Sequence, residues 1–238
     1  MTSPGFRWDR SSRAVLADAL VWLGPNRCVA EIRPDEIVLT EPPARRDRAG
    51  TAALLECGAA LATVWTVVRV LGHEPEFTFP DDPDRPGVAV VVRVGGARPP
   101  SSSEWARYAA VRKLGTDDGQ LRPVSLAVLG ALAADGFWPD TAVRIVRPEW
   151  APILSHLGAD VSGHSSVLIT TPGDRRSHHV LAGAALHSTR LAAAVRGFSS
   201  RTLPVRPPRP RDGEKSLLPG VPQAVLLVGL ATPKRRNS

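Results

Sequence analysis

A group of histidines near residue 178 has a spacing that could serve a metal ion. Asp174 and His178 are four residues apart in a segment with helical periodicity, so they lie on one helical face. His179 is adjacent, and His187 follows about two turns later. The HExxH pattern of zinc enzymes is missing from the sequence. We therefore interpret this segment as a capped helix start with exposed imidazoles, and we predict no metal site.

Ser165 is the next candidate, because it lies in the run Gly163-His164-Ser165-Ser166-Val167. A nucleophile turn of the hydrolase type needs a strand before the serine, a helix after it and a closing glycine. Here the predicted strand follows the serine and the closing glycine is absent, so we reject a serine hydrolase and assign no catalytic residue. The sequence also lacks GxGxxG and GxxxxGK[ST], which argues against a Rossmann turn and a P-loop.

Cys28 and Cys57 are the two cysteines of the chain. Neither belongs to a CxxC pair or a histidine-spaced cluster, so the sequence does not predict a zinc site. A disulfide framework needs more cysteines, and a cytosolic setting disfavours even one bridge. We predict that both side chains behave as small, buried or half-buried apolar groups.

The charge is unevenly distributed. Lysine and arginine number 30 against 23 acidic residues, which gives a formal net charge of +7. Two basic segments could attract an anionic partner such as nucleic acid, with an affinity that falls steeply with salt. They have no interleaved aromatic residues, so we interpret them as solvated surface and keep nucleic-acid binding as a lesser alternative. The segments are a Pro/Arg-rich stretch at 204–219 and a basic tail at 232–238.

The overall composition is typical of a globular protein with a substantial core. Hydrophobic residues make up 43% of the 238 residues and charged residues 22%. No apolar run reaches the roughly 18 residues of a membrane-spanning helix. Residues 1–13 contain no hydrophobic signal-peptide region. We therefore expect a cytoplasmic location and no membrane partner.

Hydrophobic periodicity predicts helices and strands in an α+β order. The predicted helices are Arg10–Leu23, Thr51–Gly72, Ser103–Lys113 with Ser103 as N-cap, Ser125–Asp135 and Asp174–Arg196. The predicted strands are Cys28–Arg33 and Ile37–Thr40 as a hairpin, Phe77–Phe79, Val88–Val94, Thr141–Val146, Ser166–Thr170 and Ala224–Leu230. Regular βαβ alternation and internal repeats are not evident. The sequence therefore predicts one α+β domain over 1–238, with a mixed or antiparallel sheet flanked by helices.

Several short segments occur in a characteristic order from about Ala49 onward. They are Leu54–Leu61 (LLECGAAL), Gly72–Glu76, Asp81–Asp84, Ala109–Asp117, Arg122–Val124, Ser166–Asp174 (SVLITTPGD), Ala182–Leu186 and Pro219–Gly229. Together they resemble the actinobacterial nitroreductase-like proteins of the dormancy-associated type. The resemblance implies an α+β nitroreductase fold with FMN at a dimer or pseudo-dimer interface. It also implies NAD(P)H-dependent reduction of nitro compounds or quinones, or, in this subtype, sequestration of flavin.

The resemblance also implies where FMN contacts would lie. An FMN phosphate is held best by bidentate arginines or backbone N–H groups, and the flavin ring needs polar partners at its edge. In this sequence the positions that match are Asn26 and Arg27 before the hairpin, and Arg112, Lys113 and Thr116 after the third helix.

The same regions depart from the family pattern. The family's Gln-Pro-Trp after the asparagine is missing, and Asp117 and Asp118 follow Thr116. Each carboxylate near a phosphate opposes binding by roughly 1 kcal/mol. Leu227 stands where the family has a C-terminal arginine. These departures predict a degraded flavin site.

Three functions therefore remain open on sequence alone. The first is an oxidoreductase of nitroreductase type that uses FMN and NAD(P)H. The second is a non-catalytic scaffold or binding protein that has lost FMN and acts through a dimer interface. The third is the nucleic-acid binder. Retention of added FMN by the purified protein distinguishes the first from the second.

Overall fold

The computed structural model describes residues 7–22, 28–42, 51–80, 84–114, 120–205 and 218–232. The chain divides into two compact units, unit 1 over residues 1–113 and unit 2 over residues 114–238. That the two units form one nitroreductase-like domain stays a prediction.

Helices and strands alternate irregularly along the chain, as the α+β order predicts. The helices are α1 (Arg10–Val21), α2 (Thr51–Val70), α3 (Ser102–Val111), α4 (Leu126–Asp135), α5 (Ala151–His156) and α6 (Arg176–Val195). The strands are β1 (Val29–Ile32), β2 (Glu36–Thr40), β3 (His73–Thr78), β4 (Val88–Ala97), β5 (Gln120–Arg122), β6 (Ala142–Ile145), β7 (Ser165–Thr171), β8 (Ser199–Pro204) and β9 (Val221–Thr232).

Unit 1 is built on a four-stranded antiparallel sheet in the order β1-β2-β4-β3. The predicted hairpin is confirmed as β1 and β2. The valine-rich start of β4, Val88–Val92, is buried throughout, which confirms the prediction from its continuous apolar run. Polar character returns at Arg93, which is exposed and pairs with Glu36 on β2.

The core of unit 1 is helix α2, most of whose residues are buried. Among the described residues, α2 alone has the length and hydropathy that a membrane crossing requires. However, 67% of its most apolar window is buried inside the protein, as is usual for a core helix. Its one basic residue near the end, Arg69, is fully buried and forms an ion pair with Glu104 on α3.

Helix α3 begins two residues earlier than expected, so the prediction of Ser103 as N-cap is wrong. The cap is Ser101, whose hydroxyl accepts from the Glu104 backbone N–H at 3.3 Å. The Glu104 carboxylate accepts in return from the Ser101 N–H at 2.6 Å. This reciprocal capping box satisfies two helix-end donors and fixes the helix start.

Unit 2 contains a five-stranded sheet in which β9 is the longest strand. The order is β5-β9-β7-β6, with β8 also paired to β9, and all of these pairs are antiparallel. Helix α4 begins where the sequence predicts, and its N-cap is Ser125, whose hydroxyl accepts from the Val128 backbone N–H. Three short elements were not predicted: β5, β8 and α5, which follows a 3-10 turn at Pro148–Trp150.

The two units share one topology. Unit 1 runs β1, β2, α2, β3, β4 with the sheet order β1-β2-β4-β3. Unit 2 runs β6, β7, α6, β8, β9 with the matching order β6-β7-β9-β8, apart from α5 inserted before β7. The long helices α2 and α6 both have 20 residues. The sequence shows no internal repeat, so the two units resemble each other in strand order and not in amino-acid sequence.

The backbone of β5 passes close to Gly229 of β9. A β-carbon added at Gly229 would lie 2.6 Å from the Arg122 carbonyl oxygen and 2.7 Å from Leu121 Cβ. Neither atom can move without shifting the backbone, so we expect Gly229→Ala to lower the free energy of unfolding by about 1–3 kcal/mol. Urea unfolding measures this.

The matched control is Gly130→Ala in α4, where an added β-carbon meets nothing within 4 Å. Alanine favours helices over glycine by about 1 kcal/mol, so this variant should be slightly stabilised. Equal effects of the two substitutions would contradict the close approach at Gly229.

Candidate functional site

The ends of α1 and α3 meet at a polar and aromatic surface in unit 1. Asp18 and Trp22 are one helical turn apart at the end of α1, and Arg112 directly follows α3. The guanidinium carbon of Arg112 lies 5.3 Å from the centre of the Trp22 ring. An Arg112 nitrogen lies 3.3 Å from a carboxylate oxygen of Asp18. We call Asp18, Trp22, Arg112 and Lys113 the α1–α3 corner.

Two of the five predicted cofactor contacts, Arg112 and Lys113, lie in this corner and are exposed. The other three, Asn26, Arg27 and Thr116, lie outside the described residues. All five nevertheless stand within five residues of Trp22 or Arg112 in the sequence. Whether they hold FMN stays a prediction. The two basic segments of the C-terminal part fall almost entirely outside the described residues.

Sequence reasoning missed Trp22 and Asp18. Trp22 is about half exposed, at 48%, which is unusual for the largest aromatic side chain. Its Nε1 donates a long hydrogen bond of 3.5 Å to Asp18. The i, i+4 spacing of Asp18 and Trp22 indicates that the two side chains share a helix face. Their contact with Arg112 joins residues about ninety positions apart, so it can be seen only in the folded chain.

The α1–α3 corner contains groups that favour an anion and one that opposes it. An exposed indole ring and a guanidinium suit a planar aromatic anion, because the indole can stack on its ring and the guanidinium can bind its phosphate. Asp18 already accepts a hydrogen bond from the Arg112 guanidinium, however, and so competes with any phosphate for it. The geometry favours weak binding of an aromatic phosphate.

Leu227, at the position where the sequence resemblance leads one to expect an arginine, is a core residue of unit 2. It is 1% exposed and belongs to a cluster with Leu154, Leu168 and Val225. This position of β9 therefore packs against apolar side chains and offers no cation.

The histidines of α6 are not the exposed group that the sequence suggested. His179 is buried, so the prediction of exposed imidazoles at the helix start is wrong for this residue, and His187, two turns further along α6, is buried as well. His179 Nδ1 lies 2.7 Å from Gln223 Oε1, and its Nε2 lies 3.1 Å from Asp174 Oδ1. Burial, followed by the positive charge of Arg190, lowers the pKa of His187 to about 3. Within the described ranges, no three histidine, cysteine or carboxylate side chains group as metal ligands.

Unit 2 also has an open cleft of about 460 Å³ at the start of β7. The Ser165 hydroxyl lines this cleft and is engaged in two hydrogen bonds: it donates to the Val124 carbonyl oxygen at 3.0 Å and accepts from the Val124 N–H at 2.9 Å. This agrees with rejecting Ser165 as a nucleophile. The cleft is lined by Pro123, Val146, Arg147, Pro148, Ala151, Val161, Ser162, Gly163, His164, Ser165 and Ser166.

No protein-family model and no curated protein matches this sequence. Among solved structures, the chain is similar to a protein from Anabaena variabilis that is provisionally assigned as a nitroreductase. The two share 11% identity with a TM-score of 0.60, and the match covers 94% of this chain and 74% of the other. At that identity the likeness concerns the fold alone. The chain therefore has a nitroreductase-like α+β fold, as predicted, whereas membership of the actinobacterial dormancy-associated group stays a prediction.

Proposed function

We propose that this chain is a flavoprotein of nitroreductase type that binds FMN weakly at the α1–α3 corner. Its activity would be NAD(P)H-dependent reduction of nitro compounds or quinones. The observation that carries the proposal is the exposed Trp22 ring stacked with Arg112. This pair stands beside the segments that contain Asn26, Arg27 and Thr116 in the sequence.

The residues of the α1–α3 corner have the chemical groups that FMN binding requires. Arg112 and Lys113 supply positive charge for the phosphate, and Trp22 supplies a flat apolar face for the flavin ring. When bound, FMN supplies a ring that takes a hydride from NAD(P)H and passes two electrons to the acceptor. The role of the chain is to bind and orient it. Asp18 opposes the phosphate, which accounts for the weak affinity.

Asp18 gives a test in which affinity is expected to rise. Asp18→Asn removes the competing charge and keeps the side-chain shape, so FMN should bind roughly fivefold more tightly, the equivalent of about 1 kcal/mol. Arg112→Ala should weaken FMN binding by a similar factor or more, because it removes the guanidinium that would bind the phosphate and its contact with the Trp22 ring. Quenching of FMN fluorescence at low salt measures both.

The matched control is Arg93→Ala. Arg93 is as exposed as Arg112, at 62% against 59%, and pairs with a carboxylate at 3.2 Å, but it lies on β4. Its replacement should leave FMN affinity unchanged. Equal responses of the Arg93 and Arg112 variants would place the flavin elsewhere. NAD(P)H oxidation in the presence of a nitroaromatic or a quinone then measures the activity itself.

A second candidate function is a non-catalytic binding protein that has lost FMN and assembles with another copy of itself. The Arg112–Asp18 pair favours it, because a guanidinium that is already neutralised has less need of a phosphate. Failure of both wild type and Asp18→Asn to bind FMN at millimolar concentration would support this candidate. Sedimentation equilibrium would then establish whether the chain forms dimers.

A further inference from the structure

Three segments of unit 2 meet at the cleft by the start of β7. Strands β6 and β7 are antiparallel, and their pairing ends with a hydrogen bond of 3.0 Å from the Val146 N–H to the Ser166 carbonyl oxygen. Arg147 follows this end on one strand, His164 lies just before it on the other, and both line the cleft. The third segment, at Pro123, is held by hydrogen bonds between the next residue and the start of β7. The strand pairing thus brings a guanidinium and an imidazole to one end of the sheet.

The cleft has a largely apolar wall with one full positive charge. The charge is that of Arg147, and within the described ranges no acidic side chain lines the wall. A site of this composition suits a ligand with an apolar body and a single anionic group. The apolar side chains of the wall are Pro123, Val146, Pro148, Ala151 and Val161.

The Arg147 guanidinium is oriented but not neutralised by a close carboxylate. Its central carbon lies 5.5 Å from the centre of the Trp150 ring, which holds the group in place from one side. Among the described residues its carboxylate partner is Glu149, at 3.8 Å, which is longer than a hydrogen bond. The side chain is 68% exposed. Its N–H groups are therefore available for a bidentate contact with a ligand carboxylate.

The His164 ring has a hydrogen-bonding group that the described protein atoms do not satisfy. Its Nδ1 is buried and lacks a hydrogen-bond partner among the described residues. The carboxylate of Asp160 does not serve it, because that carboxylate accepts from the Ser162 N–H at 3.0 Å. A buried polar atom without a partner calls for one from outside the protein, such as a ligand or a water molecule.

We propose that this cleft is a binding site for a small organic monocarboxylate with an apolar body. The carboxylate binds Arg147 beside the His164 ring, and the body packs against Val146 and Val161. One guanidinium balances one negative charge, so a monocarboxylate matches the site better than a phosphate dianion does. The cleft volume of about 460 Å³ lies in the usual range of small-molecule sites. All these residues belong to unit 2, so the proposal does not depend on FMN binding at the α1–α3 corner.

The experiment titrates the full chain with adamantane-1-carboxylate, whose body is apolar and compact and has no flat ring to stack like a flavin. Isothermal calorimetry at low salt should show one saturable site with a Kd of roughly 0.1–1 mM. Adamantane-1-carboxamide has nearly the same shape without the charge. It should bind about tenfold more weakly, because it cannot form the charge-assisted contact with Arg147.

Two variants place the ligand in the cleft. Arg147→Ala should weaken binding of the carboxylate about tenfold and leave binding of the amide nearly unchanged. Ser162→Trp should abolish binding of both compounds, because Ser162 is an exposed residue of the wall and an indole there fills the space. Both positions are exposed, so circular dichroism should show that the two variants fold.

The matched control is Arg144→Ala. Arg144 is an exposed arginine of β6, three residues before Arg147, and does not line the cleft. Its replacement, like Arg112→Ala at the α1–α3 corner, should leave the affinity for adamantane-1-carboxylate unchanged. Equal affinities for the acid and the amide, equal effects of Arg144→Ala and Arg147→Ala, or binding that survives Ser162→Trp would overturn the proposal. So would the absence of saturable binding up to about 10 mM.

Discussion

Replacement of Glu104 by alanine is expected to lower the free energy of unfolding by about 3–5 kcal/mol, because it leaves a buried positive charge without its main partner. Arg69 is 2% exposed in its side chain and lies 2.8 Å from Glu104 through Nε. A second bond from Nη2 to Glu104 measures 3.3 Å.

The other partners of Arg69 do not compensate for the loss. Its nitrogens donate to the carbonyl oxygens of His73, Arg98 and Pro99, which carry no net charge. Glu74 lies 3.4 Å away but is shared with Arg98 at the surface. Burial alone raises the pKa of Glu104, yet the hydrogen bonds from Arg69 and Ser101 outweigh it and lower that pKa to about 2.

Two controls separate the ion pair from the other roles of Glu104. Ser101→Ala removes the cap hydroxyl and leaves the ion pair, so it should cost only about 1 kcal/mol. Glu31→Ala breaks a pair of similar length, 2.9 Å to Arg33, at the surface and should change stability little. Urea unfolding measures all three variants. A Glu104 variant no less stable than Ser101→Ala would show that the buried pair contributes nothing.

Acid sensitivity caused by His187 is the second large expected effect. The pKa of His187 in the folded chain is about 3, because the imidazole is buried on α6 beside Arg190. In the unfolded chain an ordinary histidine binds its proton near pH 6.5. Between these values the unfolded state binds more protons, so stability falls as the pH falls. From pH 7 to pH 5 the loss should be about 2 kcal/mol.

The comparison that isolates His187 is the difference in unfolding free energy between pH 7 and pH 5, in wild type and in His187→Gln. Glutamine is polar but does not titrate, so the variant should lose most of the difference even if its absolute stability changes. Glu104 does not interfere, because its own contribution is lost only as the pH falls from about 4.5 toward 2. His156→Gln, at an exposed position on α5, is the matched control. Equal pH dependence in wild type and His187→Gln would refute the assignment.

The long elements could be predicted because their local patterns are strong. Helices α1, α2 and α6 have repeating apolar positions, and the valine run of β4 is continuous. The elements that were missed lack such patterns. β5 has three residues, and β8 is largely polar and is held by pairing with β9 some twenty residues later. The start of α3 was misplaced although Ser101 and Glu104 form a capping-box pattern in the sequence.

The candidate site could be predicted only in part. Arg112 and Lys113 were chosen through the family resemblance, and the structure places both at the end of α3. Their neighbours Asp18 and Trp22 could not be found, because nothing local connects α1 to a residue about ninety positions away.

The pairing of strands within each unit has a consequence for synthesis on the ribosome. Every described strand pairs only with strands of its own unit, so the sheet of unit 1 needs no residue beyond Ala97. Nascent domains fold as units, with the N-terminal one first. The emerging chain can thus bury Leu61 and Val90 while unit 2 is still being translated. During that interval Pro75, which has no N–H to offer, weakens the β3 edge as a template for pairing with neighbouring nascent chains.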